Sequence, residues 1–211
     1  MPILLAMLTL PAFGGEDALY RNDFEQAAEG GAPEEMMPLG GTWKVVVRDG
    51  GKALELEPQP LEGHCMLFGP ERKGALEVSA RALGSRVRRL APVFGIGLGG
   101  VTGFVLKVAP AKDALELWYE EKPAAKVEYK GFKSGAWLRL KLRLVQPDEA
   151  TWRAEGKVWL DGEPEPAEWP IRHEVKQAPP PGRPALWGAP YAGTPIRFDD
   201  LSVLEPKAGE K

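Results

Sequence analysis

The sequence predicts an all-β fold, an antiparallel two-sheet β-sandwich, on three observations. Short runs with an apolar residue at every second position recur about every ten residues, the spacing of strands joined by turns. No window long enough for a helix, about eleven residues, carries the 3.6-residue period. The 25 glycines and 21 prolines fall between the apolar runs, where they punctuate turns and do not mark disorder.

At 211 residues and 44% hydrophobic content, the chain can fill one core. The expected organisation is a signal peptide over 1–14, a single sandwich domain over 15–206 and a polar tail over 207–211. The leader reading rests on "MPILLAMLTLPAFG", with an apolar run from Ile3 to Leu10, then Pro11, then small residues at Ala12 and Gly14. No Lys or Arg precedes that run, and the competing reading is a first core strand. A leader implies export, to the periplasm or the extracellular space. No other run approaches the ~18 apolar residues of a spanning helix, so no membrane span is expected. A net charge of −3 and a pI near 5.6 give no electrostatic reason to expect a polyanion, and nucleic acid is excluded as partner on that ground. Cys65 is the only cysteine, so stability must come from packing and not from an internal disulfide. The oligomeric state is not legible.

Ala18 to Glu25 anchors an opening strand on Leu19, Tyr20 and Phe24. Residues 26–41, rich in Gly, Pro and Glu, read as a loop. Thr42 to Leu56 is a hairpin: Trp43, Val45 and Val47 on the outgoing strand, Asp49 and Gly50 as the pair that favours a tight primed turn, Leu54 and Leu56 on the return. His64 to Phe68 is a short apolar strand. Leu76, Val78, Ala80 and Ala82 then alternate with Glu77, Ser79 and Arg81. In the next connection Arg86, Arg88 and Arg89 form a small basic cluster that offers a dock for a phosphate or a glycan acid; a solvated loop is the plainer reading.

Val93 to Val108 is nearly continuous in apolar residues and glycine, which marks strands covered on both faces or a close approach of backbones. Gly95, Gly97, Gly99 and Gly100 do not make a dinucleotide fingerprint, because no helical pattern follows and the spacing differs. Asp113 to Glu120 sends Leu115, Leu117 and Tyr119 inward and Glu116, Trp118 and Glu120 outward, and Ala125, Val127 and Tyr129 alternate with Lys126, Glu128 and Lys130. The longest pair follows. Leu138, Leu140, Leu142 and Leu144 oppose Arg139, Lys141 and Arg143 across one strand; Ala154, Gly156, Val158 and Leu160 oppose Arg153, Glu155, Lys157 and Trp159 across the other. In the closing strand Ile196 and Phe198 are even and Leu201 and Val203 odd, so one extra residue at Asp199–Asp200, a β-bulge, returns both pairs to the core.

Taken in order, "LYRNDFE", "TWKVVVRDGGKALEL", "AWLRLKLRL", "KVWLDGEPEPAEW" and "TPIRFDDLSVL" resemble the concanavalin A-like, laminin-G-like jelly rolls of exported bacterial proteins, including the group named for 3-keto-disaccharide hydrolase. These pieces span roughly Ala18 to Pro206. The resemblance implies two curved sheets whose concave face binds carbohydrate, a polysaccharide or glycoside. It leaves two alternatives: a glycoside or 3-keto-glycoside hydrolase, and a non-catalytic envelope interaction module. It implies no organic cofactor, and offers a structural calcium near the paired termini, with Asp23, Asp199 and Asp200 as oxygen donors; the competing reading is that the Asp pair only shapes the bulge.

Glucanases of this superfamily carry Glu, Asp and Glu at alternate positions of one strand, whereas Glu116, Trp118 and Glu120 put Trp at the centre. A retaining pair needs carboxyl groups about 5 Å apart, and residues four apart on a strand are too distant. His64 and His173 stand in no metal spacing, and no nucleophile elbow is present. No catalytic residue is assigned. The carbohydrate-binding candidates are Trp118 and Trp159, whose flat faces can stack on sugar rings, with Glu116, Arg139, Arg143 and Glu155 for hydroxyl groups. The competing reading is that both tryptophans pack across strands or under a loop.

Overall fold

A computed structural model describes residues 18–48, 50–59 and 62–206. The expected leader over 1–14 and tail over 207–211 therefore lie outside the described residues. The described chain forms fifteen strands: β1 (Tyr20–Asn22), β2 (Met37–Leu39), β3 (Trp43–Arg48), β4 (Gly51–Leu56), β5 (His64–Leu67), β6 (Leu76–Leu83), β7 (Val93–Leu98), β8 (Phe104–Ala109), β9 (Ala114–Tyr119), β10 (Lys122–Glu128), β11 (Trp137–Asp148), β12 (Thr151–Leu160), β13 (Ile171–Val175), β14 (Ala185–Ala189) and β15 (Ile196–Leu204). One 3-10 turn, Pro110–Lys112, joins β8 to β9.

The strands make two antiparallel sheets. The eight-stranded sheet runs β13-β12-β11-β6-β15-β4-β3, with β1 also on β15; the seven-stranded sheet runs β10-β9-β8-β7-β14-β5-β2. Alternation explains the sandwich. Leu138, Leu140 and Leu142 of one sheet and Leu106, Leu115 and Leu117 of the other are all within 1% of full burial in one apolar cluster. Each strand's intervening residues then face outward, giving the molecule two outer faces.

The expected bulge is present. β15 shifts register against β6 between Asp199 and Ser202, with Asp200 at φ 49°. It divides the strand: Ile196–Phe198 pair with β4 and Leu201–Val203 with β1, and all four predicted core residues are buried. The β3–β4 hairpin closes with Arg48 opposite Gly51 and Gly50 at φ 87°, but Val47 at its tip is 48% exposed. The opening strand is shorter than its pattern, because Asn22 Oδ1 accepts from the amide of Phe24 at 2.8 Å and turns the chain; Phe24, at φ 59°, still reaches the core. The run Val93 to Val108 resolves into β7 and β8, and β2, β13 and β14 are strands that alternation alone did not mark.

Candidate functional site

The six candidate residues fall on opposite sides of the sandwich. Leu115 and Leu117 point into the core, so Glu116 and Trp118 lie on the outer face of the seven-stranded sheet. Leu138 to Leu144 point into the core, so Arg139 and Arg143 lie on the outer face of the eight-stranded sheet, with Glu155 and Trp159 beside them across the β11–β12 register. One ligand cannot touch both groups.

Much of the eight-stranded face is filled by its own ion pairs. Arg143 Nε donates to Glu155 Oε2 at 2.7 Å, and Arg153 Nε approaches Glu155 Oε1 at 3.0 Å. Arg139 binds Asp161 at 2.5 Å and Asp200 at 3.3 Å, and Arg81 binds Asp161, Asp199 and Asp200. The connection from β12 to β13 folds over this lattice as a strap: Glu165 takes Lys141 at 2.9 Å and Lys157 at 2.6 Å, Pro166 O accepts from Lys157 Nζ at 2.8 Å, and the Trp169 ring lies 4.3 Å from both Arg143 and Lys157. Trp159 is 8% exposed and offers no open platform. Beside the strap a hollow of about 1410 Å³ opens between the β1–β2 connection and β15, lined by Arg21, Asp23, Glu35, Arg139 and Asp200 but by no aromatic ring.

The carboxylates named as calcium donors are engaged there. Asp199 and Asp200 serve Arg81 and Arg139, and Asp23 Oδ1 accepts from the amide of Glu25 at 3.1 Å. Among the described residues no group of three His, Cys, Asp or Glu stands close enough to hold a metal. Asp199 and Asp200 are thus paired with arginines, whereas Asp23 is engaged only by a backbone amide.

The seven-stranded face is different. Strand registers align one row across it: Lys126 beside Glu116, then Lys107, Gly95, Trp187, Cys65 and Leu39. The adjacent row runs through Trp118, Val105, Gly97 and Ala185. Gly95 and Gly97 are themselves buried, with the Trp187 indole seated over Gly97 and Val105 between Gly97 and Trp118, and Leu39 at 40% and Met37 at 50% exposure continue the face to the β2 edge. Glycine is needed at both positions. A Cβ on Gly95 would lie 2.1 Å from Leu106 O, and one on Gly97 would lie 3.0 Å from Phe104 O and 3.2 Å from Trp187 Nε1.

Trp118 is held in place by its own strand, since its Nε1 donates to Glu116 Oε2 at 3.0 Å while Lys112 donates to Glu116 Oε1 at 2.8 Å. Burial pushes the Glu116 carboxyl up, but the bonds from Lys112 and Trp118 outweigh it and hold the group below its usual value. Lys107 Nζ lies 3.9 Å from the Trp118 ring centroid and 5.4 Å from that of Trp187. Burial pushes its ammonium down from the ordinary lysine value. Trp187 Nε1 is buried and has no hydrogen-bond partner among the described residues.

Glu120 sits in the β9–β10 turn at φ 49°, and His173 on β13 has its ring 6.3 Å from that of Phe104 on β8, so neither joins Glu116 in a reacting pair. Trp187 and Lys107 were not singled out from sequence. The signal that was available is the alternate pair Gly95 and Gly97 together with a Trp set among small residues in "ALWGA".

Neither a comparison with protein-family models nor one with curated proteins gives a match. The fold has solved counterparts. The carbohydrate-binding module CBM66 from Bacillus subtilis aligns at 10% identity over 81% of this chain and 95% of its own, with a TM-score of 0.55. The Emp46p carbohydrate recognition domain in its metal-free form aligns at 10% identity over 90% and 98%, with a TM-score of 0.59. The exoplasmic/lumenal domain of VIP36 in its Ca2+/Man2-bound form aligns at 8% identity over 90% and 88%, with a TM-score of 0.57. At these identities the likeness establishes the concanavalin A-like jelly roll and no more.

Proposed function

We propose that the chain binds carbohydrate on the outer face of the seven-stranded sheet, at Trp118, Lys107 and Trp187. The observation that carries this reading is the pair Trp118 and Trp187, half-buried on one outer face with the Lys107 ammonium between their rings and Glu116 beside Trp118. Sugar rings present flat apolar faces to indoles and hydroxyl groups to charges. A ring burying ~60 Å² of apolar surface gains about 1.5 kcal/mol, so two platforms give roughly 3 kcal/mol. That falls short of the ~4 kcal/mol of a millimolar complex, so the polar groups must contribute and the ligand must be a chain long enough to cross both rings. The printed functions of the three structural counterparts support the same ligand class.

Of the six residues first singled out, this site keeps Trp118 and Glu116 and leaves Arg139, Arg143, Glu155 and Trp159 to the strapped face. Export, by way of a leader in 1–14, suits a protein that meets polysaccharide; among the described residues no helix is long and apolar enough to cross a membrane. The test is a glycan array probed with the wild-type chain and with Trp187→Ala. Retention of at least one polysaccharide by the wild type, weakened tenfold or more in the variant, is the expected result. No retained glycan, or equal retention by both proteins, overturns the proposal.

A further inference from the structure

We infer that this face is built for an acidic polysaccharide, a uronate-bearing chain whose carboxylate pairs with Lys107 between Trp118 and Trp187; this rests on the carbohydrate reading above. Lys107 stands between two rings on its face. It has no hydrogen-bond acceptor and no carboxylate within ion-pair distance among the described residues, only the two ring faces. On the opposite face Lys141 takes Glu77 and Glu165, Lys157 takes Glu165 and Lys44 takes Glu57. The one acid near Lys107, Glu116, is already occupied on both oxygens by Lys112 and Trp118.

A half-buried ammonium has lost part of its water, and a ring face returns only part of that loss. A neutral hydroxyl returns a dipole, whereas a carboxylate returns a full charge in a partly desolvated setting where charge pairs are strengthened. The surroundings add to the preference. Lys126 pairs in register with Glu116, so Lys107, Lys112 and Lys126 stand around a single carboxylate. Further along β10, Glu128 is engaged by Lys130.

In the connection that leads into β7, a tight turn closed by two bonds between Val87 and Leu90 presents Arg88 and Arg89 to solvent. Arg86 ties that turn to the Pro110–Lys112 segment by donating to Pro110 O at 2.9 Å. Arg88 occupies φ 55°, a conformation that glycine adopts at less cost. The net charge of −3 conceals this local cationic excess.

The test is titration calorimetry of the full chain against polygalacturonate and alginate, each paired with its carboxyl-reduced polymer, and against poly-L-glutamate, for the wild type, Lys107→Met and Lys107→Arg. The expected result has three parts. One acidic polymer binds at least tenfold more tightly than its reduced form and than poly-L-glutamate, Lys107→Met removes that advantage, and Lys107→Arg keeps most of it. Equal affinity for a polymer and its reduced form overturns the acid preference while leaving carbohydrate binding intact, and so does unchanged acid binding in Lys107→Met. Equal binding of poly-L-glutamate also overturns it, as attraction to any polyanion. No binding to any of the polymers overturns this inference, and only the broader array decides the carbohydrate reading.

Discussion

Trp187 and Gly97 occupy adjoining strands so closely that a Cβ at position 97 would stand 3.2 Å from the indole Nε1. The same Cβ would meet Phe104 O at 3.0 Å, which is backbone and cannot swing aside. Gly97→Val is therefore expected to displace Trp187, to cost about 1–3 kcal/mol through overpacking, and to weaken glycan retention at least tenfold. Urea unfolding beside an affinity measurement on the same preparation checks both parts. An unchanged affinity would mean that the position of Trp187 does not matter to the ligand.

The tryptophans separate by role. Trp118→Ala and Trp187→Ala remove partly exposed rings and are expected to lower affinity with a smaller loss of stability than a fully buried ring would cost. Trp159→Ala removes a ring that is 8% exposed and is expected to cost about 3 kcal/mol of stability without a specific effect on affinity. Thermal or urea unfolding of the three variants, with glycan binding measured below the transition, distinguishes the two classes.

Arg143 and Glu155 are a buried ion pair, with side chains 6% and 4% exposed. Removing one partner of such a pair leaves an uncompensated charge and costs about 3–5 kcal/mol, whereas replacing both with apolar groups of similar volume is often neutral. Glu155→Ala should thus be far more damaging than Arg143→Met combined with Glu155→Leu. Chemical denaturation of the three proteins tests the ordering.

The strapped face also predicts an acid response. Burial pushes the Asp161 carboxyl up, but hydrogen bonds from Arg81 and Arg139 outweigh it and hold the group below its usual value. A lowered carboxyl contributes stability that is complete above the unfolded value of about 3.9 and is lost as pH falls through the folded one. Asp199 has the opposite sign: burial dominates and raises its carboxyl, so its contribution declines as pH rises through that window. The stability gap between wild type and Asp161→Asn is therefore expected to shrink between about pH 6 and about pH 3. A gap independent of pH would contradict the assignment.

Cys65 lies 3% exposed beside Trp187, and burial pushes its thiol up to about 12. Native protein near pH 8 should react with a thiol reagent only as fast as the structure opens. Reaction at the rate of a free thiol would contradict that burial.

Much of the fold was legible because alternation is strong wherever one face is charged. The β11–β12 pair writes its register in four leucines against three cations, and the odd–even break between Phe198 and Leu201 placed the bulge at Asp199–Asp200. β14 escaped because both its faces are apolar or small: Ala185, Trp187 and Ala189 face outward, with Leu186 and Gly188 between them, so no polar residue marks the period. The site was half legible for a related reason. Alternation puts Trp118 and Trp159 on outward faces, but it does not tell which sheet a strand joins, and these two strands join different ones. Lys107 reads as an ordinary outward lysine until the β7–β8–β9 register sets it between two rings.

The most direct test of the account is an amide and indole NMR titration of the labelled protein with the retained polysaccharide. The Nε1–H signals of Trp118 and Trp187 are expected to shift together, with those of Trp159 and Trp169 unmoved. Shifts confined to Trp159 and Trp169 would place binding on the strapped face and contradict the central claim.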